Sequence, residues 1–153
     1  MSIDQRLAEL GLTLPQPAAP VASYVPAVLS GNLLYLSGQI SFAEDGSLIT
    51  GRLGEDMDLE AGQAAARQCG LMVLAQVKAA LGSLDRVARI VKLGVFVNSA
   101  ADFTDQPKVA NGASDLMQQV FGEAGRHARS AVGVPTLPLG VAVEIDAIVE
   151  VRG

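Results

Sequence analysis

Two stretches of this chain bring together residue types that can do chemistry. The first, Gly125-Arg126-His127-Ala128-Arg129-Ser130, holds two of the 11 basic residues and the only histidine. Arg129 also opens a run, Ser130 to Val143, that carries no charge. A guanidinium at the mouth of an apolar strand can offer its planar fork to a carboxylate through two parallel hydrogen bonds. The same residues equally describe a helix-to-strand loop whose cations are solvated or pair with Glu123. The second stretch runs from Val143 to Val151, and Glu144 stands 15 residues after Arg129. Its alternation puts Val143, Ile145, Ala147, Val149 and Val151 on one face and Glu144, Asp146, Ile148 and Glu150 on the other. In solvent that acidic face would need no further role. Against a subunit interface, a partly buried Glu144 would have a raised pKa and could take and return a proton.

Other chemistries find less to work with. His127 fits a structural or solvated histidine as well as a catalytic one. Ser37 and Ser130 lack a G-x-S-x-G elbow, and one histidine would have to serve any triad. Cys69 falls on the apolar stripe of a helix, which predicts an inert core thiol. It is the only cysteine, so there is no disulfide framework, and no His/Asp/Glu cluster has metal-ligand spacing. No glycine fingerprint or G-x-x-x-x-G-K loop offers a phosphate cradle.

The elements around these residues have to position them. Residues 3–11 predict a short amphipathic helix through Ile3, Leu7 and Leu10, stopped at Gly11. A proline-rich connector follows from Leu14 to Pro20. Val25–Ser30 and Leu33–Ser37 flank Gly31-Asn32, a pair suited to a hairpin turn, and a third strand is expected near Ser47–Leu53. Asp58 suits the N-cap of one long helix, Leu59 to Leu81, stopped by Gly82. Arg86 to Val97 reads as a strand, and Asp105 or Gln106 to Phe121 as a second long helix. Ala128–Val134 and Val141–Val151 complete the set. The order β-β-β-α-β-α-β-β predicts an α+β fold, with a helix pair on one face of a mixed sheet. Arg129 and Glu144 are then expected on neighbouring strands of one subunit.

Composition bounds what such a fold is used for. A chain of 153 residues with 50% hydrophobic residues is expected to form one domain. Charged residues are only 18%, sparse enough to suggest surface hidden in an oligomer. Net charge is −5, and the six aromatic residues form no basic, aromatic-interleaved run, so nucleic acid is not an expected partner. Leu10 to Ala43 is free of charge, but Pro15, Pro17, Pro20 and Pro26 break it before it could span a membrane. The start, Met-Ser-Ile-Asp-Gln-Arg, lacks the pattern of a signal peptide, and a soluble cytoplasmic protein is expected.

Ser37-Gly38-Gln39-Ile40, Arg129-Ser130-Ala131-Val132, and Leu137-Pro138 followed by Val143-Glu144-Ile145-Asp146-Ala147 together resemble the Rid/YjgF family. Its best-known members are the reactive intermediate (2-aminoacrylate) deaminases, and it carries the older label L-PSP endoribonuclease. The resemblance covers Tyr24 to Val151 and implies a chorismate-mutase-like fold over residues 24–153. Residues 1–23 would be an N-terminal extension that marks a divergent branch. It further implies a homotrimer with a cleft between each pair of subunits, and no cofactor. In that cleft Arg129 would clamp a substrate carboxylate and Glu144 would position or activate the water that attacks an imine carbon. Tyr24, Ser37, Gly38, Ser130 and Ala131 would line it. Ala131 stands where the best-known deaminases have a cysteine, and Val109–Asp115 replaces the family's usual Asn-x-x-Tyr pattern.

The implied function is hydrolysis of reactive 2-imino and 2-enamino acids to 2-oxo acids and ammonia. An imine carbon is already electrophilic, so orientation, a water and one proton carrier can suffice. A non-catalytic trimer that binds a small carboxylate and regulates a partner would use the same Arg129. An endoribonuclease would have to bind RNA against a net charge of −5.

Overall fold

The computed structural model of the chain describes residues 1–20 and 23–153. Asp58 leaves the helical region and its carboxylate accepts the N–H of Ala61 at 2.8 Å, so helix α2 (Leu59–Leu81) begins where the cap predicts. It ends at Gly82, whose φ of 85° turns the chain out of the helix at no cost to a side chain. The remaining elements are α1 (Ile3–Glu9), β1 (Ala27–Ser30), β2 (Leu33–Ile40), β3 (Val87–Asn98), α3 (Gln106–Phe121), β4 (Ala128–Val134) and β5 (Val143–Val151).

The strands form one mixed sheet in the order β1-β2-β5-β3-β4, antiparallel except for the β3–β4 pair. This sheet has five strands, not the six of the expected order. Ser47–Leu53 makes only isolated bridges: Leu48 with Phe42, Thr50 with Val141, and Leu53 with Met57 and Ser99. Gly51 there takes a φ of 143°, and the next N–H, of Arg52, is taken by Asp56 Oδ1 at 2.7 Å, which leaves no run long enough to pair. The expected adjacency of Arg129 and Glu144 is also overturned. Their strands β4 and β5 are separated by β3, because β4 joins by the parallel crossover through α3 and takes the outer edge.

Helices α2 and α3 cover one face of the sheet. Ile90, Leu93, Val95 and Val97 of β3 and Val143, Ile145, Ala147 and Val149 of β5 are buried beneath them. Cys69 lies in this layer, its Sγ 3.4 Å from the Val143 carbonyl, and burial pushes its thiol well above the ordinary range. The two helices pack closely at Gly112, where a Cβ would collide with the Gln63 carbonyl. The opposite sheet face carries no helix and exposes Val28, Tyr35 and Val132.

The N-terminal segment is tied to the same body. Ser2 and Gln5 form a capping box, Leu7 is buried in the core, and Arg6 Nε donates to the Gln119 carbonyl at 2.9 Å. The chain then crosses α2, where Gln76 Nε2 donates to the Ala18 carbonyl at 2.8 Å. Residues 21 and 22 of the expected extension lie outside the described residues. No helix among the described residues is long and apolar enough to cross a membrane.

Candidate active site

Glu144 sits on the helix-free face of β5, opposite Ile40 of β2 and Phe96 of β3. Between Leu36 and Gln39 the β2–β5 register slips, so β2 spends one residue more than its partner and bulges at Ser37-Gly38. The bulge brings the Gly38 backbone onto the Glu144 carboxylate. A Cβ at Gly38 would collide with Oε2 and lie 2.9 Å from Cδ, so any other residue would push the carboxylate out of this position. Ser37 is occupied otherwise: its Oγ donates to the Val25 carbonyl at 2.6 Å, which anchors the segment carrying Tyr24. Tyr24, Gly38 and Glu144 thus line one cavity of about 400 Å³, with Pro26, Phe42 and Leu139 around them. Burial, and then the negative charge of Asp146 two residues on, raises the Glu144 pKa above the ordinary carboxylate range. A carboxylate in this condition can hold a water and exchange a proton with it.

Arg129 is placed elsewhere. It shares a row with Leu93 and Ala147, on the helix side of the sheet, whereas Glu144 shares a row with Phe96 on the other side. Strand spacing and rise put the two residues about 10 Å apart sideways and about 10 Å along the strands. Arg129 Nη1 donates to Asn111 Oδ1 at 2.9 Å and to Ser114 Oγ at 3.0 Å, both from α3. Ser114 in turn meets His127 Nε2 at 2.8 Å, and His127 Nδ1 lies 2.7 Å from the Gly125 carbonyl. A carbonyl only accepts, so Nδ1 carries the proton and Nε2 accepts from the Ser114 hydroxyl. Burial, with a smaller effect of the Arg129 charge, holds the His127 pKa below its ordinary value despite the Gly125 carbonyl, which opposes the shift. His127 is therefore a neutral strut for Ser114.

This arrangement fixes the guanidinium by one nitrogen. The edge formed by Nε and Nη2, the side-on edge that matches a carboxylate, donates to no described residue. Asn111 and Ser114 were not singled out as site residues by sequence reasoning. The signal was present, since they stand three apart on one face of a helix, and the expected Asn-x-x-Tyr reads here as Asn-x-x-Ser. Of the other expected site residues, Ser130 faces the open side beside Gly94, and Ala131 faces the helices beside Val95. Neither reaches the Glu144 cavity within this subunit. Among the described residues, no group of three from His, Cys, Asp and Glu is arranged to hold a metal ion.

Residues 4–150 match the model of the family described as "YjgF/chorismate_mutase-like, putative endoribonuclease". The protein TCP17 of Trypanosoma cruzi is 57% identical over 147 residues, covering 95% of this chain and 92% of its own length. A 2-iminobutanoate/2-iminopropanoate deaminase of Dermatophagoides farinae is 30% identical, with 92% of this chain and 95% of the relative covered. Among solved structures, the Agrobacterium tumefaciens protein Atu1372 superposes with a TM-score of 0.90 at 50% identity, covering 99% of this chain and 94% of its own. A match over nearly the whole length, on the same α+β mixed-sheet fold, makes the chain a member of the YjgF/Rid family.

Proposed function

We propose that this protein hydrolyses 2-imino and 2-enamino acids of the 2-aminoacrylate type to 2-oxo acids and ammonia, in clefts between the subunits of a homotrimer. The observation that carries the reading is Glu144: a half-buried carboxylate with a raised pKa, pressed against the Gly38 backbone in a cavity otherwise lined by Tyr24, Gln39 and mostly apolar groups. The deaminase relative supports the reaction class. The helix-free face, with Val28, Tyr35 and Val132 exposed, supports association through that face. β4 is the outer strand, so its Arg129 lies at the sheet edge, where a neighbouring subunit's Glu144 cavity could meet it.

In such a cleft the free edge of Arg129 binds the substrate carboxylate and orients the imine carbon toward a water held by Glu144. The water oxygen forms a bond to that carbon while the C=N pair moves to nitrogen. Glu144 takes the water proton and returns one to the nitrogen. The C–N bond then breaks as the hydroxyl oxygen closes to a carbonyl and its proton passes, again through Glu144, to the leaving nitrogen, releasing ammonia and the 2-oxo acid. Net, one water is consumed and no oxidant or cofactor enters the balance.

A second reading keeps only the first step: a trimer that binds a small carboxylate on Arg129 and regulates a partner. It is favoured by the separation of Arg129 and Glu144 onto opposite sheet faces, since a ligand held by one need not touch the other. One assay divides the two. An amino-acid oxidase generates 2-imino acids in the presence of semicarbazide, which traps whatever imine survives. Wild type is expected to suppress semicarbazone formation. Arg129→Ala should lower kcat/KM by about 30-fold or more, the loss of a charge-assisted pair worth at least about 2 kcal/mol. Glu144→Gln should lower kcat with KM nearly unchanged. No suppression with any imine would leave the regulatory reading in its place.

A further inference from the structure

The proline-rich connector forms one wall of the cavity that holds Glu144. Ala18, Ala19 and Pro20 line it, together with Leu139. The segment is fastened by a buried amide relay. Gln76, only 3% exposed, donates from Nε2 to the Ala18 carbonyl at 2.8 Å and to Gln39 Oε1 at 3.3 Å. Gln39 Nε2 donates to the Ser37 carbonyl at 3.0 Å, inside the bulge that faces Glu144. Strap and bulge are therefore fixed relative to each other by groups that cannot easily lose a partner in a dry interior.

Leu139 is the second observation, independent of the first. It is the sole non-glycine residue among those described with a positive φ, at 60°, and its side chain is 65% exposed at the cavity. Leucine in the left-handed region is strained, and an exposed apolar side chain gains little there from the fold. A leucine stands where glycine would be relaxed, and its side chain is part of the cavity wall. Glu144 is the one charged residue lining this cavity among the described residues. Its volume of about 400 Å³ would hold about 13 waters at ~30 Å³ each, much more room than the six heavy atoms of a three-carbon imino acid require.

We infer that the strap and Leu139 form a side-chain subsite that selects 2-imino acids with large apolar side chains, such as those derived from leucine, methionine or phenylalanine, over the three-carbon imine. This rests on the hydrolase reading above and narrows it. Gln76 is a positioning residue that acts through the Ala18 carbonyl.

The test compares leucine-derived and alanine-derived imines with the full-length protein. Wild type should show kcat/KM about tenfold or more higher on the leucine-derived imine. Leu139→Gly should cut that ratio at least about fivefold through KM, with kcat held and the melting temperature not lowered, because the strain is relieved as the wall is lost. Gln76→Met should move KM for the larger imine in the same direction by releasing the strap. If Gln76→Met does not fold, the wild-type ratio and Leu139→Gly decide the matter. Equal kcat/KM for the two imines in wild type, or a ratio that survives Leu139→Gly, overturns the subsite while leaving the hydrolase intact. Turnover of neither imine, at any concentration, removes the hydrolase reading and the subsite with it.

Discussion

A carboxylate is useful as a proton carrier only if its surroundings move it away from its solvent behaviour, and at Glu144 two neighbours do so. Burial disfavours the charged form, and Asp146, two residues along the same strand face, adds a like charge. Both raise the pKa, so on acidification Glu144 becomes protonated at a higher pH than an ordinary glutamate. If the ionised form accepts the water proton, kcat should fall as pH drops through that raised value. Asp146→Asn removes the like charge and should shift this acid limb to lower pH, while Glu144→Gln should abolish it; a pH series of kcat for the three proteins reads both effects. An unshifted limb in Asp146→Asn would mean that burial alone sets the value. Much of this was legible in the residues: the alternation of β5 places Glu144 and Asp146 on one face, and Ser37-Gly38 stands out as a pair. The reason for Gly38 was not, because it depends on a bulge whose position no local pattern announces. Likewise Arg129 announces a carboxylate clamp, but its anchors on Asn111 and Ser114 come from a helix 15 and more residues earlier.

At the scale of elements, local chemistry was read well where it is decisive. Asp58 and Gly82 bound α2 as a cap and a left-handed stop should, and α3 ends against Gly122. The strand expected at Ser47–Leu53 failed because its backbone pairs in turn with Ser41–Ala43, Gly140–Ala142 and Asn98–Ala100, never with one strand long enough to form a ladder. Gly112 shows how far tertiary contact overrides propensity. By propensity alone, Gly112→Ala in mid-helix should stabilise by about 1 kcal/mol. In this fold its Cβ would strike the Gln63 carbonyl of α2, so the helices must separate. The substitution should therefore destabilise by about 1–3 kcal/mol in urea unfolding, with α3 carrying Asn111 and Ser114 away from Arg129. A gain in stability would show that the helix pair has slack that the close packing denies.

At the scale of the whole molecule, the sequence locates the five strands of the sheet, with one false addition, but not their order, and the order decides the site. The sequence reading puts Arg129 and Glu144 on neighbouring strands, not necessarily in one cleft; the sheet order β1-β2-β5-β3-β4 and the two side-chain rows set them two strands apart on opposite faces. One subunit thus carries two separate groups, an anchored guanidinium at its edge and a half-buried carboxylate on its open face. If they work together they do so across subunits, which makes oligomerisation part of the chemistry. Mixed oligomers test this directly. Arg129→Ala and Glu144→Gln subunits, each strongly impaired alone, are combined by co-expression and assayed for imine hydrolysis. In a randomly mixed trimer, about one cleft in four pairs an intact Glu144 with an intact Arg129 from its neighbour, so activity should return to about one quarter of wild type. Mixed oligomers as impaired as their parents would contradict the account and put both groups in the same subunit's site.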